Sequence, residues 1–238
     1  MIKLLKSITL TEWLIWSVSA VAIIISFFVF KNDQYHYLVG SLIGITALIF
    51  VAKGNPLGQF LGIVFAVFYG IISYTFAYYG EMITYLGMSA PIAIWALISW
   101  LRHPNGTNKS EVKVNTISLK EWCLFLIGSA VITVAFYFIL RALNTANLIV
   151  STLSVLTSFT AAYLSARRSK YYAICYALND VVLIILWIFA TKESLTYLPI
   201  VICFVAFLAN DIYAFINWGR IKKRQKAEEN KNNNIEIK

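Results

Sequence analysis

Eight apolar stretches, separated by short polar loops, take up most of this 238-residue sequence. A transmembrane helix needs about 17–25 mostly apolar residues, and the stretches have this length or come close to it. None alternates polar and apolar residues with a period of two, which excludes a transmembrane barrel. The pattern predicts an all-α polytopic membrane protein with eight transmembrane helices, the second being the shortest. The stretches cover residues 13–30, 37–52, 57–79, 82–101, 122–140, 148–166, 171–190 and 195–218.

The composition excludes several other classes of protein. Hydrophobic residues make up 60% of the chain and charged residues 13%, whereas soluble domains are about 45–50% apolar and about 25% charged. A soluble enzyme or a disordered protein is therefore excluded. The sequence has no phosphate-binding loop of the Walker type and no HExxH motif. We expect no cofactor, no metal site and no enzymatic activity.

The basic residues predict the orientation of the chain in the membrane. The net charge is +9, but the charge lies in loops and in the tail, so it does not indicate nucleic-acid binding. With eight spans, the 20 Lys and Arg residues divide 17 to 3 between the two sides. Basic loops remain in the cytoplasm. We therefore expect both termini to be cytoplasmic, with a basic, Asn-rich tail at 219–238 that frays into disorder.

Four short matches indicate that the chain is an internal duplication. Each half of the chain contains four spans, an even number, so the two halves insert with the same orientation. Parallel repeats of this kind are typical of transporters, with a substrate site near the membrane midplane between the halves. The alternative is an old duplication with only a structural role. Residues 8–13 match 117–122, 52–53 match 166–167, 81–86 match 193–198, and 98–102 match 216–220.

Asp180 and Asp211 are the only charged residues within the eight spans. A carboxylate in a membrane is costly unless it is paired, hydrated or protonated, and it is by default a candidate functional residue. Each follows an asparagine, Asn179 or Asn210. Both asparagines lie about 12 Å from the cytoplasmic end of their span, from the rise per helical residue. The two Asn-Asp pairs are thus predicted to lie level on adjacent helices.

Aromatic residues continue this pattern along the seventh span. Tyr172, Tyr176, Asp180 and Trp187 fall on one helical face, with Asn179 beside it. A site with aromatic rings, amides and carboxylates suits a ligand with a flat ring on a hydroxylated sugar. A cationic ring would bind more strongly, through cation–π contacts and attraction to a carboxylate. The alternative is that the tyrosines pack or lie at the interface, and that the Asn-Asp pairs hold helices together.

The third span carries small residues at four-residue steps, at positions 54, 58, 62, 66 and 70. Such a stripe lets a neighbouring backbone approach closely. The matching positions of the seventh span carry large side chains, so the two halves of the chain would line a shared pocket asymmetrically. Tyr69 and Trp95 are further, weaker candidates for lining a central path.

With these features, the sequence resembles the PnuC family of bacterial nicotinamide riboside transporters. The resemblance rests on the duplication, the basic turn 166–170, Asn179, and the segments 210–213 and 216–218. The family is similar in fold to the SWEET sugar transporters, which implies two three-helix bundles joined by a linker helix. The implied division is an extra N-terminal helix (1–35), a first bundle (36–103), a loop and linker helix (104–144), a second bundle (145–218) and the tail (219–238).

The resemblance implies facilitated diffusion of the unphosphorylated riboside by alternating access, followed by trapping through a cytoplasmic kinase. The sequence departs from the family at the start of the seventh span. Tyr172 and Cys175 or Tyr176 stand where typical members have two tryptophans. Relatives that carry thiamine, riboflavin or deoxynucleosides therefore remain alternatives for the substrate.

Three hypotheses follow for a protein of the bacterial cytoplasmic membrane. The first is a facilitator for a nucleoside-like vitamin, nicotinamide riboside first, with Tyr172 and Tyr176 stacking on the ring and Asn179 and Asn210 binding ribose or carboxamide. The second is a proton-coupled carrier that uses Asp180 and Asp211. The third is a membrane sensor or assembly factor with the tail as its partner site. The expected partners are a small-molecule substrate and lipid, with no nucleic acid, and a homo-oligomer is left open.

Overall fold

The computed structural model describes residues 8–30, 35–75 and 79–236. The start of the predicted N-terminal segment (1–7), residues 31–34, the end of the predicted third span (76–78) and residues 237–238 lie outside this description. A π-helical segment (Ile83–Ser89) and a 3₁₀ turn (Leu195–Tyr197) accompany the α-helices. The α-helices are α1 (Leu10–Val29), α2 (Tyr35–Ala52), α3 (Pro56–Thr75), α4 (Tyr79–Met82), α5 (Ala90–Arg102), α6 (Leu119–Ala142), α7 (Leu148–Ala166), α8 (Tyr172–Thr191) and α9 (Leu198–Glu236).

The helices agree with a polytopic membrane protein of seven to eight spans. Seven helical segments of the described chain are long and apolar enough to cross a membrane. The second of them, α2, has 18 residues and a mean hydropathy of 1.8. Helix α3 covers Pro56–Thr75 and has 20 residues. At 18 residues, α2 is the shortest of the seven segments, as the sequence predicts.

Six helices form a closed ring in the order α2, α3, α5, α7, α8 and α9, because α9 packs against both α8 and α2. Helix α1 packs on the outside of α2 and α9, and α6 packs on the outside of α7. The π-helical segment packs against α3 and α5. The ring places the inward faces of α3, α8 and α9 around a common centre. We call the end of the ring at which α9 continues outward the tail end.

At the tail end, α2 and α7 finish in the same way. Each helix is followed by a residue in the left-handed conformation, Gly54 with φ 66° and Arg168 with φ 58°. The backbone bonds around both residues are those of a Schellman motif. Gly54 and Arg168 are equivalent positions in the two halves, because they directly follow the matched segments 52–53 and 166–167. The bonds are Gly54 N–H to Val51 O, Asn55 N–H to Phe50 O, Arg168 N–H to Ser165 O and Ser169 N–H to Leu164 O, each 2.9 Å.

Ion pairs fasten the two outer helices to the ring at equivalent positions. Lys53 Nζ lies 2.9 Å from Glu12 Oε2 and joins α2 to α1. Arg167 pairs with Glu121 and joins α7 to α6. Glu12 and Glu121 belong to one pair of matched segments, and Lys53 and Arg167 to another. Residues that correspond in sequence therefore make corresponding contacts in the two halves.

The predicted disorder of the tail was wrong, because α9 remains helical to Glu236. Its extension packs against the loop that joins α5 to α6. Gln225 is only 9% exposed; its Nε2 donates to Glu111 Oε1 (2.7 Å) and Val112 O (3.0 Å). The backbone N–H of Val114 donates to Gln225 Oε1 at 2.9 Å. The composition of the tail indicates disorder only for a segment without a partner, and here the loop supplies one.

Candidate functional site

Asp180 on α8 and Asp211 on α9 face each other across the interface of the two helices. They are 3% and 2% exposed, and their carboxyl groups lie close enough to interact. Two buried carboxyl groups this close can share a hydrogen bond only if one of them carries a proton. Asp180 Oδ2 and Asp211 Oδ1 are buried without a donor in the described part of the chain.

The two asparagines that precede the aspartates point to different neighbours. Asn179 Oδ1 accepts a hydrogen bond of 2.8 Å from Thr157 Oγ1 on α7. Asn210 Nδ2 donates to Ala206 O in its own helix and, at 3.4 Å, to Ser19 Oγ on α1. Consecutive residues on a helix are about 100° apart, so an Asn-Asp pair cannot direct both side chains to one point. The structure therefore brings the aspartates together and leaves the asparagines apart.

An aromatic layer closes the ring between the carboxyl pair and the tail end. It consists of Trp100 on α5, Trp218 on α9, and Tyr172 and Tyr176 on α8. The ring centroids of Trp100 and Trp218 are 5.4 Å apart, and those of Tyr172 and Trp218 are 4.9 Å apart. Tyr172 is fully buried, so in this conformation it belongs to the closing layer and has no surface for a ligand. We call this group the tail-side layer.

The two tryptophans brace the ring in equivalent ways. Trp100 Nε1 donates to Ser165 O on α7 at 2.8 Å, and Trp218 Nε1 donates to Val51 O on α2 at 2.9 Å. The accepting carbonyls are those of the two Schellman motifs. Tyr172 donates a further hydrogen bond of 3.3 Å to Val51 O. The sequence interpretation missed the tryptophans as site residues, although their repetition in matched segments was a usable signal.

A second aromatic layer lies on the other side of the carboxyl pair. It consists of Phe65 and Tyr69 on α3, Tyr85 in the π-helical segment, and Phe207, which precedes Asp211 by one turn of α9. Centroid distances are 4.6 Å for Phe65–Tyr69, 5.4 Å for Tyr69–Tyr85 and 6.4 Å for Phe65–Phe207. Of these residues, only Tyr69 was predicted. Tyr85 was missed because a π-helical segment, frequent at functional sites, is not visible in sequence periodicity.

Open space lies beside Gly62 on α3. This residue shares a face of α3 with Gln59 and Ala66, which are buried, and Gln59 Nε2 donates to Ser165 Oγ on α7 at 2.9 Å. A Cβ atom at Gly62 would meet nothing within 4 Å. At Gly58 the corresponding atom would lie 2.4 Å from the backbone of α2. The stripe of small residues on α3 is therefore tightly packed at Gly58 and open at Gly62.

Two predicted site residues lie away from this space. Trp95 is 41% exposed and packs on Tyr163, with a centroid distance of 5.6 Å. Trp187 packs on Tyr197 at 5.8 Å, beyond the carboxyl pair and away from the tail end. Seven residues of helix, or about 10 Å, separate Trp187 from Asp180. A small cavity of about 10 Å³ lies apart from the pair, between α1, α2 and α9, and has room for about one water molecule.

Comparisons with known proteins agree on one family. The family model described as nicotinamide mononucleotide transporter matches residues 34–220. The nicotinamide riboside transporter PnuC of Neisseria mucosa is 28% identical over 220 residues, which are 91% of this chain and 82% of that protein. The protein of the same name from Haemophilus influenzae is 23% identical over 193 residues, 81% of this chain and 82% of that protein.

A solved structure extends the similarity to the arrangement of the helices. It is described as the crystal structure of the vitamin B3 transporter PnuC, and it superimposes with a TM-score of 0.70 at 27% identity. The superposition covers 91% of this chain and 99% of that chain. Since the family model also spans well over half of the sequence, this multi-pass membrane protein belongs to the nicotinamide mononucleotide transporter family.

Proposed function

We propose that the protein carries nicotinamide riboside, a nucleoside with a cationic pyridinium ring, across the membrane. The observation that carries this proposal is the buried Asp180–Asp211 pair between two aromatic layers. A flat cation is attracted both by carboxylates and by the faces of aromatic rings. The names of the relatives from Neisseria and Haemophilus support the same substrate.

The charges inside the ring favour the riboside over its phosphorylated form. A phosphate group carries about 1.5–2 negative charges at neutral pH and is usually bound by Arg, Lys or helix N-termini. The eight predicted spans contain no basic residue, and their only charges are Asp180 and Asp211. A phosphate would therefore be repelled. Phosphorylation by a kinase after entry would trap the vitamin in the cell.

The contacts of the polar side chains indicate a role for each residue in the proposed site. Thr157 occupies the oxygen of Asn179, so the amide N–H groups of Asn179 are available for a ribose hydroxyl or the carboxamide oxygen. Tyr176 would stack on the ring, and Asp180 or Asp211 would face its charge. Tyr172 could contact the ligand only after the tail-side layer opens. Asn210 faces α1 and would act from outside the ring of helices.

Transport would proceed by facilitated diffusion with alternating access, as two parallel repeats rock about the site. The repeats would be SWEET-like three-helix bundles, α2, α3 and α5 against α7, α8 and α9. The equivalent helix ends, ion pairs and tryptophan contacts support this division. The 17-to-3 distribution of basic residues supports an orientation with the tail end in the cytoplasm of a bacterial cell.

Binding to the purified protein tests this function. We expect Asn179→Leu to abolish calorimetric binding of nicotinamide riboside, and Thr157→Val to weaken it, because Thr157 positions the amide. Thr160→Val is the matched control, since that hydroxyl bonds only within its own helix. Normal binding by a folded Asn179→Leu protein would refute the site. Binding of thiamine or deoxyadenosine instead of the riboside would move the protein to another specificity.

The carboxyl pair also favours a second candidate function, a proton-coupled carrier. Paired acidic residues inside membrane proteins often relay protons. Such a carrier would accumulate its substrate against a gradient, and a protonophore would collapse that accumulation. Uptake into kinase-free vesicles that only reaches equilibrium would exclude it.

A further inference from the structure

The loop that joins α5 to α6 is attached to the tail end of the ring along its length. It comprises residues 103–118, and we call it the strap. The strap is folded on itself, since the backbone N–H of Asn105 donates to Glu111 O at 2.7 Å. Val112 is fully buried, and Glu111 is 6% exposed. Connecting loops normally run exposed over the protein surface, so this burial indicates a specific attachment.

The strap is hydrogen-bonded to the equivalent helix ends of the two halves. The backbone N–H of Val112 donates to Gly54 O at 2.9 Å. The backbone N–H of Asn115 donates to Arg168 O, also at 2.9 Å. Gly54 and Arg168 are the left-handed residues that follow α2 and α7. The strap therefore makes one backbone bond to each of the two proposed bundles.

The outer extension of α9 holds the middle of the strap. Gln225 and Arg224 both bond to the carboxylate of Glu111. At the surface, Lys113 Nζ lies 3.3 Å from Glu229 Oε1. The strap begins at the end of α5, which belongs to the first proposed bundle, whereas α9 belongs to the second. These contacts therefore tie the first bundle to the second at the tail end.

The strap packs on the tail-side layer. Val112 belongs to the same buried hydrophobic cluster as Trp100, Tyr172 and Trp218. The hydrogen bonds of the two tryptophans also cross between the bundles, from α5 to α7 and from α9 to α2. Separating the bundles at the tail end would break these bonds and pull Val112 out of the cluster. The strap and the tail-side layer must therefore open together.

We propose that the strap locks the tail-side layer shut, and that the strap must leave the second bundle before the site can open toward the tail end. This inference rests on the proposed function, because it assumes alternating access between the two bundles. Release breaks the contacts of Glu111 with α9 and of Asn115 with Arg168, while the covalent connection to α5 remains. Each transport cycle requires this release once.

A covalent bridge between the strap and α9 tests this proposal. Lys113 and Glu229 are in contact and 59% exposed, so a short bismaleimide can bridge the Lys113→Cys, Glu229→Cys protein in detergent, with the exposed Cys123 replaced by serine. After reconstitution into vesicles, we expect uptake of nicotinamide riboside to fall about tenfold or more, because every cycle needs the gate to open. Calorimetric binding should persist through the other side of the ring. The same protein treated with N-ethylmaleimide, which modifies both cysteines without joining them, is the matched control and should keep its uptake.

Hydrogen exchange gives a second test that needs no cross-link. The backbone amides of Val112 and Asn115 lose their protection whenever the strap is released. Trp100→Phe removes a hydrogen bond between the bundles, so it should speed exchange of both amides about fivefold or more. Exchange is measured by mass spectrometry relative to the middle of α6, which reports global unfolding. Trp95→Phe is the matched control, because Trp95 is 41% exposed on the same helix, and it should leave exchange unchanged.

The outcomes distinguish this inference from the proposed function. Uptake by the bridged protein at the rate of its N-ethylmaleimide control would overturn the inference and leave a riboside transporter in place. Loss of binding in the bridged protein would also overturn it, because a lock at the tail end leaves access from the other side. Equal exchange of the strap amides in the Trp100→Phe and Trp95→Phe proteins would mean that strap and layer open independently, which contradicts the proposal.

Failure of the unmodified protein to take up the riboside would refute the proposed function, and the inference with it. The bridging experiment decides the question even if the Trp100→Phe protein does not fold.

Discussion

Arg168 occupies a position that suits glycine. It follows the end of α7 with φ 58°, and its equivalent after α2 is Gly54 with φ 66°. The guanidinium atoms Nε and Nη1 are buried without a hydrogen-bond partner among the described residues. Burial, together with the neighbouring Arg167 cation, lowers the pKa of the Arg168 guanidinium. Both the backbone and the side chain of Arg168 are therefore unfavourable, and we expect Arg168→Gly to stabilise the protein.

The expected size follows from these two contributions. A left-handed conformation costs a non-glycine residue about 1–2 kcal/mol, and the entropy of glycine offsets about 0.5–1 kcal/mol of this gain. Removing buried donors that lack a partner gives about 1–3 kcal/mol, less here because the side chain is only partly buried. The sum is about 1–3 kcal/mol, which raises Tm by about 2–12 °C in a chain of this size.

Thermal unfolding of the purified protein in detergent measures this change, and two control variants divide it. Arg168→Ala removes the guanidinium but keeps the strained backbone, so it should give only part of the increase. Gly54→Ala should lower Tm, because alanine is strained at φ 66°. Its Cβ would make only ordinary contacts of 3.4 Å, so the loss of stability reports the backbone strain alone. A lower Tm for Arg168→Gly would refute the reasoning and would mean that the guanidinium contributes net stability.

Two further predictions use pairs of matched changes. Gly58→Ala should lower Tm, because its Cβ would lie 2.4 Å from the backbone of α2. Gly62→Ala should raise Tm slightly, because that position is open and alanine favours a helix over glycine. Equal effects in thermal unfolding would contradict the packing of α3. Truncation after Arg224 removes Gln225 and its contacts with the loop, so it should lower Tm, whereas truncation after Asn230 keeps them and should not. Equal stability of the two truncated proteins would mean that the tail does not hold the loop.

The sequence predicts the spans well because membrane insertion depends on the length and hydropathy of single segments. It predicts the facing aspartates because depth follows from residue count along two adjacent helices. It does not predict the direction of each polar side chain, since Asn179 and Asp180 turn to different helices. Helix rotation is fixed by packing with neighbours distant in the chain, which local periodicity does not contain.

The aromatic layers illustrate the same limit. Tyr172 was predicted to face a ligand from its place in a stripe, but contacts with Trp218 and with the carbonyl of Val51 bury it. The tail was misjudged for a related reason. Its Lys- and Asn-rich composition describes the segment alone, whereas Gln225 is held by Glu111, more than a hundred residues earlier.

The length of α9 has a mechanical consequence. The helix runs unbroken for 39 residues, from inside the ring to its outer extension. Asp211 and Gln225 are fourteen residues apart, which is about 21 Å along a rigid rod. A tilt of about 10° at the carboxyl pair would displace Gln225 by about 4 Å over this lever arm. Ligand binding in the middle of the membrane would thus be detectable as movement of the loop that joins α5 to α6 at the tail end.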